Sequence, residues 1–192
     1  MAILTSRKKR WPFLVAFILF VQLSASTRPL WSETAISREY QIKAVFLFNF
    51  AQFVKWPPDS SPRADEPFRI GVLGDDPFDG FLDETVRDEK VNGHPLAIQR
   101  YDRVENVKDC QILFISRSES QRTESILAGL KGRNILTVSD TEGFIKSGGL
   151  ILFVNEGNKI HFKINLQAAK RAHLSISSKV LRLAEVIGPE GD

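Results

Sequence analysis

Three pairs of residues hold the best prospect of chemistry in this 192-residue sequence: Asp75 with Asp76, Ser116 with Arg117, and Ser139 with Asp140. Each pair follows a short apolar run that reads as a β-strand, at 68–73, 112–115 and 135–138. If those strands run parallel, the pairs meet at the carboxyl edge of one sheet, where open α/β folds place ligands. Arg117 is the one cation in that set and can clamp a carboxylate or phosphate. The plainer alternative is that the acids and serines cap helices and Arg117 is solvated.

Other groups offer less. His94, His161 and His173 are far apart and none has a partner at metal-ligand spacing, so no metal or other cofactor is expected. Gly71-Val72-Leu73-Gly74 lacks the G-x-G-x-x-G pattern and is followed by acids where a phosphate would sit. Asp75, Asp76, Asp79, Asp83 and Glu84 lack calcium-loop spacing, and carboxylates are favoured in a first helical turn. No G-x-S-x-G elbow or Walker loop occurs, and Cys110, the only cysteine, has no evident base. The chain is therefore expected not to be an enzyme. Cys110 cannot form an intramolecular disulfide, and its place before the run 112–115 suggests a buried thiol.

The composition has 14 Phe against 3 Trp, 2 Tyr and 1 Met, and the Phe excess gathers in one helix. Residues 34–55 contain no Gly or Pro, and Val45, Phe46, Leu47, Phe48, Phe50, Phe53 and Val54 surround most of its circumference. Tyr40, Gln41, Lys43, Asn49, Gln52 and Lys55 leave a broken polar stripe. Such a helix must be covered on more than one face. A sheet can cover the i, i+4, i+7 set Phe46, Phe50 and Phe53, and the second cover is either the C-terminal helices or another protein chain. Phe46, Phe50, Phe53 and Trp56 are accordingly candidate partner-binding residues.

Charge is informative only after the N-terminus is read. Arg7, Lys8, Lys9 and Arg10 precede the nine-residue apolar run 13–21, and Ser24-Ala25-Ser26 follows it, the order of a secretory signal peptide. A membrane span needs about 20 residues. With cleavage near Ser26, four of the 26 Lys and Arg are lost, leaving 22 against 23 Asp and Glu and turning a formal charge of +3 into −1. The basic hint disappears, and with no basic stripe remaining, nucleic-acid binding is not expected. The mature protein is expected in the periplasm, with no lipid anchor because no Cys follows the apolar run.

These residues must be positioned by an α/β scaffold. Strands are expected at 68–73, 96–101, 112–115, 135–138, 150–154 and 160–164, with helices at 78–88, 119–130, 166–173 and near the C-terminus. Asp76 is an expected N-cap, and Ser139 with Glu142 has capping-box spacing for a short helix to Lys146. In the last helix Val180, Leu181, Ala184 and Ile187 share one face. Four strands alternating with helices and then a hairpin define a three-layer α/β domain, helices on both faces of a mixed sheet of about six strands, mainly parallel in its first half. The domain is expected over 34–187, after a signal at 1–26 and before a disordered tail at 188–192.

The run F-L-F-N-F-A-Q-F-V-K-W-P from Phe46 to Pro57 resembles the opening of the YfiR-like family of periplasmic regulators. The likeness continues through residues 74–78, 110–116 and 135–140. It is densest in Gly143-Phe144 to Gly148-Gly149, Phe153, residues 160–165 and the tail 177–184. It covers about residues 36–187. The resemblance implies a non-enzymatic homodimer that represses an inner-membrane diguanylate cyclase by binding its periplasmic portion, so modulating cyclic di-GMP and biofilm formation. It also implies an outer-membrane lipoprotein that sequesters the regulator. Related domains serve as sensor modules, so a small-ligand sensor using the strand-end residues is the alternative. Redox-responsive members have paired cysteines, whereas Cys110 matches one such position without a partner.

Overall fold

The longest element of the computed structural model, which describes residues 30–157 and 159–188, is helix α1 (Leu30–Phe53). The signal reading at 1–26 and the tail reading beyond Gly188 lie outside the described residues. Along α1, Tyr40, Lys43, Ala44, Leu47, Phe50 and Ala51 are buried, a spacing of three and four residues that puts them on one stripe. That stripe packs on one face of an eight-stranded sheet, against Ile70, Ile112, Phe114, Val138, Phe153 and Phe162.

The strands are β2 (Phe68–Leu73), β3 (Lys90–Val91), β4 (His94–Tyr101), β5 (Ile112–Ile115), β6 (Leu136–Ser139), β7 (Ile151–Glu156), β8 (Lys159–Asn165) and β10 (Glu185–Ile187). Their order in the sheet is β10-β8-β7-β6-β5-β2-β4-β3. β4, β2, β5, β6 and β7 run parallel in succession, and β7 and β8 form the expected antiparallel hairpin. Every residue of β5 and β6 is buried, as befits central strands covered on both faces. On the second face Leu113, Ile115, Ile126, Leu130 and Phe144 form a separate core with helix α3 (Thr123–Gly129).

The sheet is larger than the six strands expected. β3 and β10 are two and three residues long, too short to show a period. β3 joins β4 through Asn92-Gly93, both at positive φ (52° and 89°), a two-residue turn of the primed kind that closes a hairpin. β10 lies parallel to β8, with Val186 opposite Ile164. The expected last helix is accordingly cut to α5 (Ser178–Leu181), and Ile187 belongs to a strand rather than to the face of Val180.

Three further boundaries differ for local reasons. α1 stops at Phe53 because Val54–Lys55 (β1) pairs antiparallel with Ser175–Ile176 (β9), and Ser177 N–H donates to Phe53 O at 3.0 Å. The expected helix 78–88 shrinks to α2 (Phe81–Val86) with Gly80 at its N-cap, φ 83°; Asp76 instead accepts from Phe78 N–H at 2.8 Å in a preceding turn. Residues 141–148 form consecutive turns rather than a helix. Ser139 is still in β6: its hydroxyl donates to Ile115 O at 2.7 Å and accepts from Thr141 N–H at 3.1 Å, so it cannot serve a capping box with Glu142. The expected helix at 119–130 opens as a 3₁₀ segment, Arg117–Arg122, before α3. Asn165 caps α4 (Leu166–Arg171) as expected, accepting from Ala168 N–H at 3.0 Å.

Candidate functional site

Because β2, β5 and β6 are adjacent and parallel, the residues after them share the carboxyl edge of the sheet. Chain order reverses there, since β2 is flanked by β4 on one side and β5 on the other. The three sequence pairs do reach this edge, but they divide among different partners.

Asp140 and Arg117 come together, with Arg117 Nε 3.2 Å from Asp140 Oδ1. The Asp140 side chain is 1% exposed. Its Oδ2 accepts from the Tyr40 hydroxyl at 2.8 Å and from Lys43 Nζ, and Lys43 also pairs with Glu39. Glu39 in turn accepts from Asn155 Nδ2 at 2.6 Å and lies 3.9 Å from Arg117. Two acids and two bases thus balance in a cluster that fastens α1 to the ends of β5, β6 and β7. Burial, followed by the charge of Asp140, pushes the Tyr40 phenol well above its ordinary range, so it stays a protonated donor. Burial opposes the Arg117 charge, yet the combined pull of Asp140, Tyr40 and Glu39 outweighs it and raises its pKa. Lys43 also sits 4.3 Å from the centre of the Tyr40 ring, whose edge meets Phe78.

The other candidates serve the scaffold. Asp75 N–H donates to Ser118 Oγ at 3.0 Å beside Gly74, where φ is 86° and an added Cβ would fall 2.4 Å from that hydroxyl, so only glycine fits. Ser116 is buried, and its N–H donates to Leu73 O at 3.0 Å. Asp76 accepts from Arg100 Nε at 2.7 Å, and Asp83 accepts from the same guanidinium at 3.1 Å. Arg117 is therefore not the one cation at this edge: α1 brings Lys43 and the end of β4 brings Arg100.

Hydrogen bonding and charge from Arg100 hold the Asp83 carboxyl below its ordinary value. A lowered native pKa stabilises above the unfolded value and is lost as pH falls through the native one. Arg100→Ala is thus expected to cost at most about 1 kcal/mol at pH 7, since the pair is 43% exposed on both sides. The difference from wild type should shrink below about pH 4 and vanish in stronger acid. Urea unfolding at a series of pH values checks it; a constant difference would assign the loss to packing instead.

Sequence reasoning missed Glu39, Tyr40 and Lys43. By type Tyr40 and Lys43 read as part of the polar stripe of α1, whereas the structure buries both on the stripe 40, 43, 44, 47, 50, which keeps helical spacing.

The aromatic candidates separate too. Phe50 is 1% exposed, with ring centres 5.9 Å from Phe153 and 5.3 Å from Phe162. Half-buried Phe46 packs on the same two rings. Phe53, half-buried, lies 5.3 Å from Lys179 Nζ, and Trp56 meets Phe68 edge-on while donating to Gln111 O at 3.2 Å. The C-terminal segment therefore supplies part of the second cover. Among the residues of α1 whose burial is described, the exposed large apolar side chains are Ile42 and Val45, at 38% and 49%.

Cys110 is buried, with Sγ 2.9 Å from Ile112 O, and burial pushes its thiol up to about 12. Among the described residues no group of three or more His, Cys, Asp or Glu is placed to hold a metal ion, and no helix is long and apolar enough to cross a membrane.

A mixed eight-stranded sheet with a parallel centre, packed by helices and with its carboxyl edge tied to α1 by paired charges, defines a mixed α/β domain. Within that class the chain belongs to the YfiR/HmsC-like family, whose model matches residues 40–185. A solved structure of a conserved domain protein from Vibrio cholerae O1 biovar El Tor is similar at TM-score 0.46 and 11% identity over 62% of this chain. The chain spans about half, 54%, of that protein. No curated protein gives a significant match.

Proposed function

We propose that this protein is an exported, non-enzymatic regulator that binds the periplasmic portion of an inner-membrane diguanylate cyclase and represses it, lowering cyclic di-GMP and biofilm formation. The observation that carries the reading is the family match over 40–185. Export follows from the signal pattern in residues 1–26. In this reading the protein works as a homodimer and is released from the cyclase by an outer-membrane lipoprotein. The partner meets the outward side of α1, where Ile42 and Val45 are exposed, with half-buried Phe46 and Phe53 on the same helix and half-buried Trp56 beyond its end extending the surface; Phe50 supports it from beneath. Exposed apolar side chains of this kind mark interaction sites.

The test is capture from solubilised inner membranes with the mature protein, followed by cyclase assay of what co-purifies. Repression by wild type, with Ile42→Asp/Val45→Asp binding at least about tenfold more weakly at an unchanged melting temperature, is the expected result. A cyclase that is neither bound nor slowed overturns the function; equal binding by the variant overturns only the surface.

A second reading, a small-ligand sensor at the strand ends, draws on one observation. Among the described residues, buried Asp140 Oδ1 meets the Arg117 charge 3.2 Å away but accepts no hydrogen bond, and the buried hydroxyl of Thr141, next in sequence, also lacks a hydrogen-bond partner. Thermal shifts with small amino acids should then appear in wild type and disappear in Arg117→Ala. No shift in wild type discards this reading.

A further inference from the structure

At the opposite, amino end of β6 lies an open groove of about 770 Å³, between α3 and α4. Leu130, Ile135, Leu150 and Ala168 line it, each less than a tenth exposed. Thr137, 3% exposed, is the polar group in this floor. Its Oγ accepts from Leu150 N–H at 3.2 Å, and among the described residues no protein group accepts its own O–H.

The rim has a definite sign. Lys131, Arg133, Lys146 and Arg171 surround the groove, against the single carboxylate of Glu124. Among the described residues none of the four lies in an ion pair; Arg133 donates to Val107 O at 2.7 Å. The volume is that of a small-molecule site.

We propose that this groove binds an amphiphilic monoanion, a carboxylate attached to an aliphatic or aromatic body of about ten carbons. The apolar body would lie on the floor, removing its own surface and that of the groove from water. The carboxylate would reach the cationic rim, where charge-assisted hydrogen bonds are strongest. A compact polyanion such as phosphate would leave the floor wet, and a neutral alcohol would leave the rim unanswered. None of these residues belongs to the Asp140 cluster or to the exposed side of α1, so the site stands or falls independently of the proposed function.

Titration calorimetry of the purified protein with decanoate, below its micelle concentration, tests the assignment, with 1-decanol and inorganic phosphate as comparison probes. Saturable decanoate binding is expected, with both comparison probes at least about tenfold weaker. Lys146→Glu/Arg171→Glu should weaken decanoate at least about tenfold without moving the melting temperature, since both side chains are exposed. Ala128→Trp, which fills the groove from the exposed side of α3, should remove binding while leaving the charges intact. Absence of saturable decanoate binding overturns the proposal. So does decanol binding as tightly as decanoate, or decanoate affinity that survives both variants.

Discussion

Lys43→Met is expected to lower the unfolding free energy by about 3–5 kcal/mol, the loss typical of breaking a buried ion pair from one side. Lys43 is 1% exposed and holds the carboxylates of Glu39 and Asp140. Methionine nearly matches lysine in volume, so the cavity contribution is small and the effect is electrostatic. What remains is the Asp140 carboxylate, itself 1% exposed, with only Arg117 to balance two acids. Against a domain stability of about 5–15 kcal/mol, the loss brings the variant close to unfolding at body temperature. Urea titration followed by tryptophan fluorescence measures it, because Trp56 is half-buried against Phe68. The double variant Lys43→Met/Asp140→Asn should recover much of the loss, since the acid left unpaired is then neutral. A single-variant loss under about 1 kcal/mol would mean that water replaces the ammonium and that the cluster is not a dry fastening.

Phe50→Ala should cost a similar amount, about 3–5 kcal/mol, by a different route. Phe50 is 1% exposed and packs among Phe46, Phe153 and Phe162, so truncation empties a volume ringed by aromatic groups. Phe53→Ala, at a half-exposed site, should cost less than half as much. Equilibrium unfolding of the two variants compares them directly, and equal losses would contradict the burial difference. The consequence bears on function. A binding defect in a Phe50 variant reports on folding, whereas Ile42 and Val45 can be changed without disturbing the stripe under α1.

The two variants probe the same helix near its C-terminal end and at its middle. Phe50 near the C-terminal end belongs to the hydrophobic seam with β7 and β8, and Lys43, two turns earlier, belongs to the charge cluster with β5 and β6. Both lie on one stripe because 43, 47 and 50 recur at helical spacing. A helix fastened near its C-terminal end by apolar packing and at its middle by charge has two distinct sensitivities, to cavity formation and to loss of a countercharge.

Much of the scaffold was legible in local pattern. The runs 68–73, 112–115 and 135–138 are continuous and apolar, and such runs between helices imply parallel, doubly covered strands. Asn92-Gly93, Asn165 and the Val154-to-Ile160 hairpin were likewise fixed by turn and cap chemistry that acts over two to five residues. The family motifs carried the identification because they are an ordered series across the whole domain.

What needed tertiary structure was every interaction between residues distant in sequence. Two- and three-residue strands such as β1, β3, β9 and β10 exist only because a neighbouring strand offers hydrogen bonds, and no periodicity can show in so few residues. Ser139 looks like a helix cap until β5 takes its hydroxyl. Lys43 and Asp140 are 97 residues apart, and each alone reads as an ordinary surface charge. Sequence by itself determined that there would be a parallel-centred α/β sheet and a Phe-rich helix to lay on it, because burial patterns are local and periodic. Which side of that helix faces inward, and that its polar stripe carries a buried lysine to the strand ends, was decided only when the chain closed on itself and charge met countercharge.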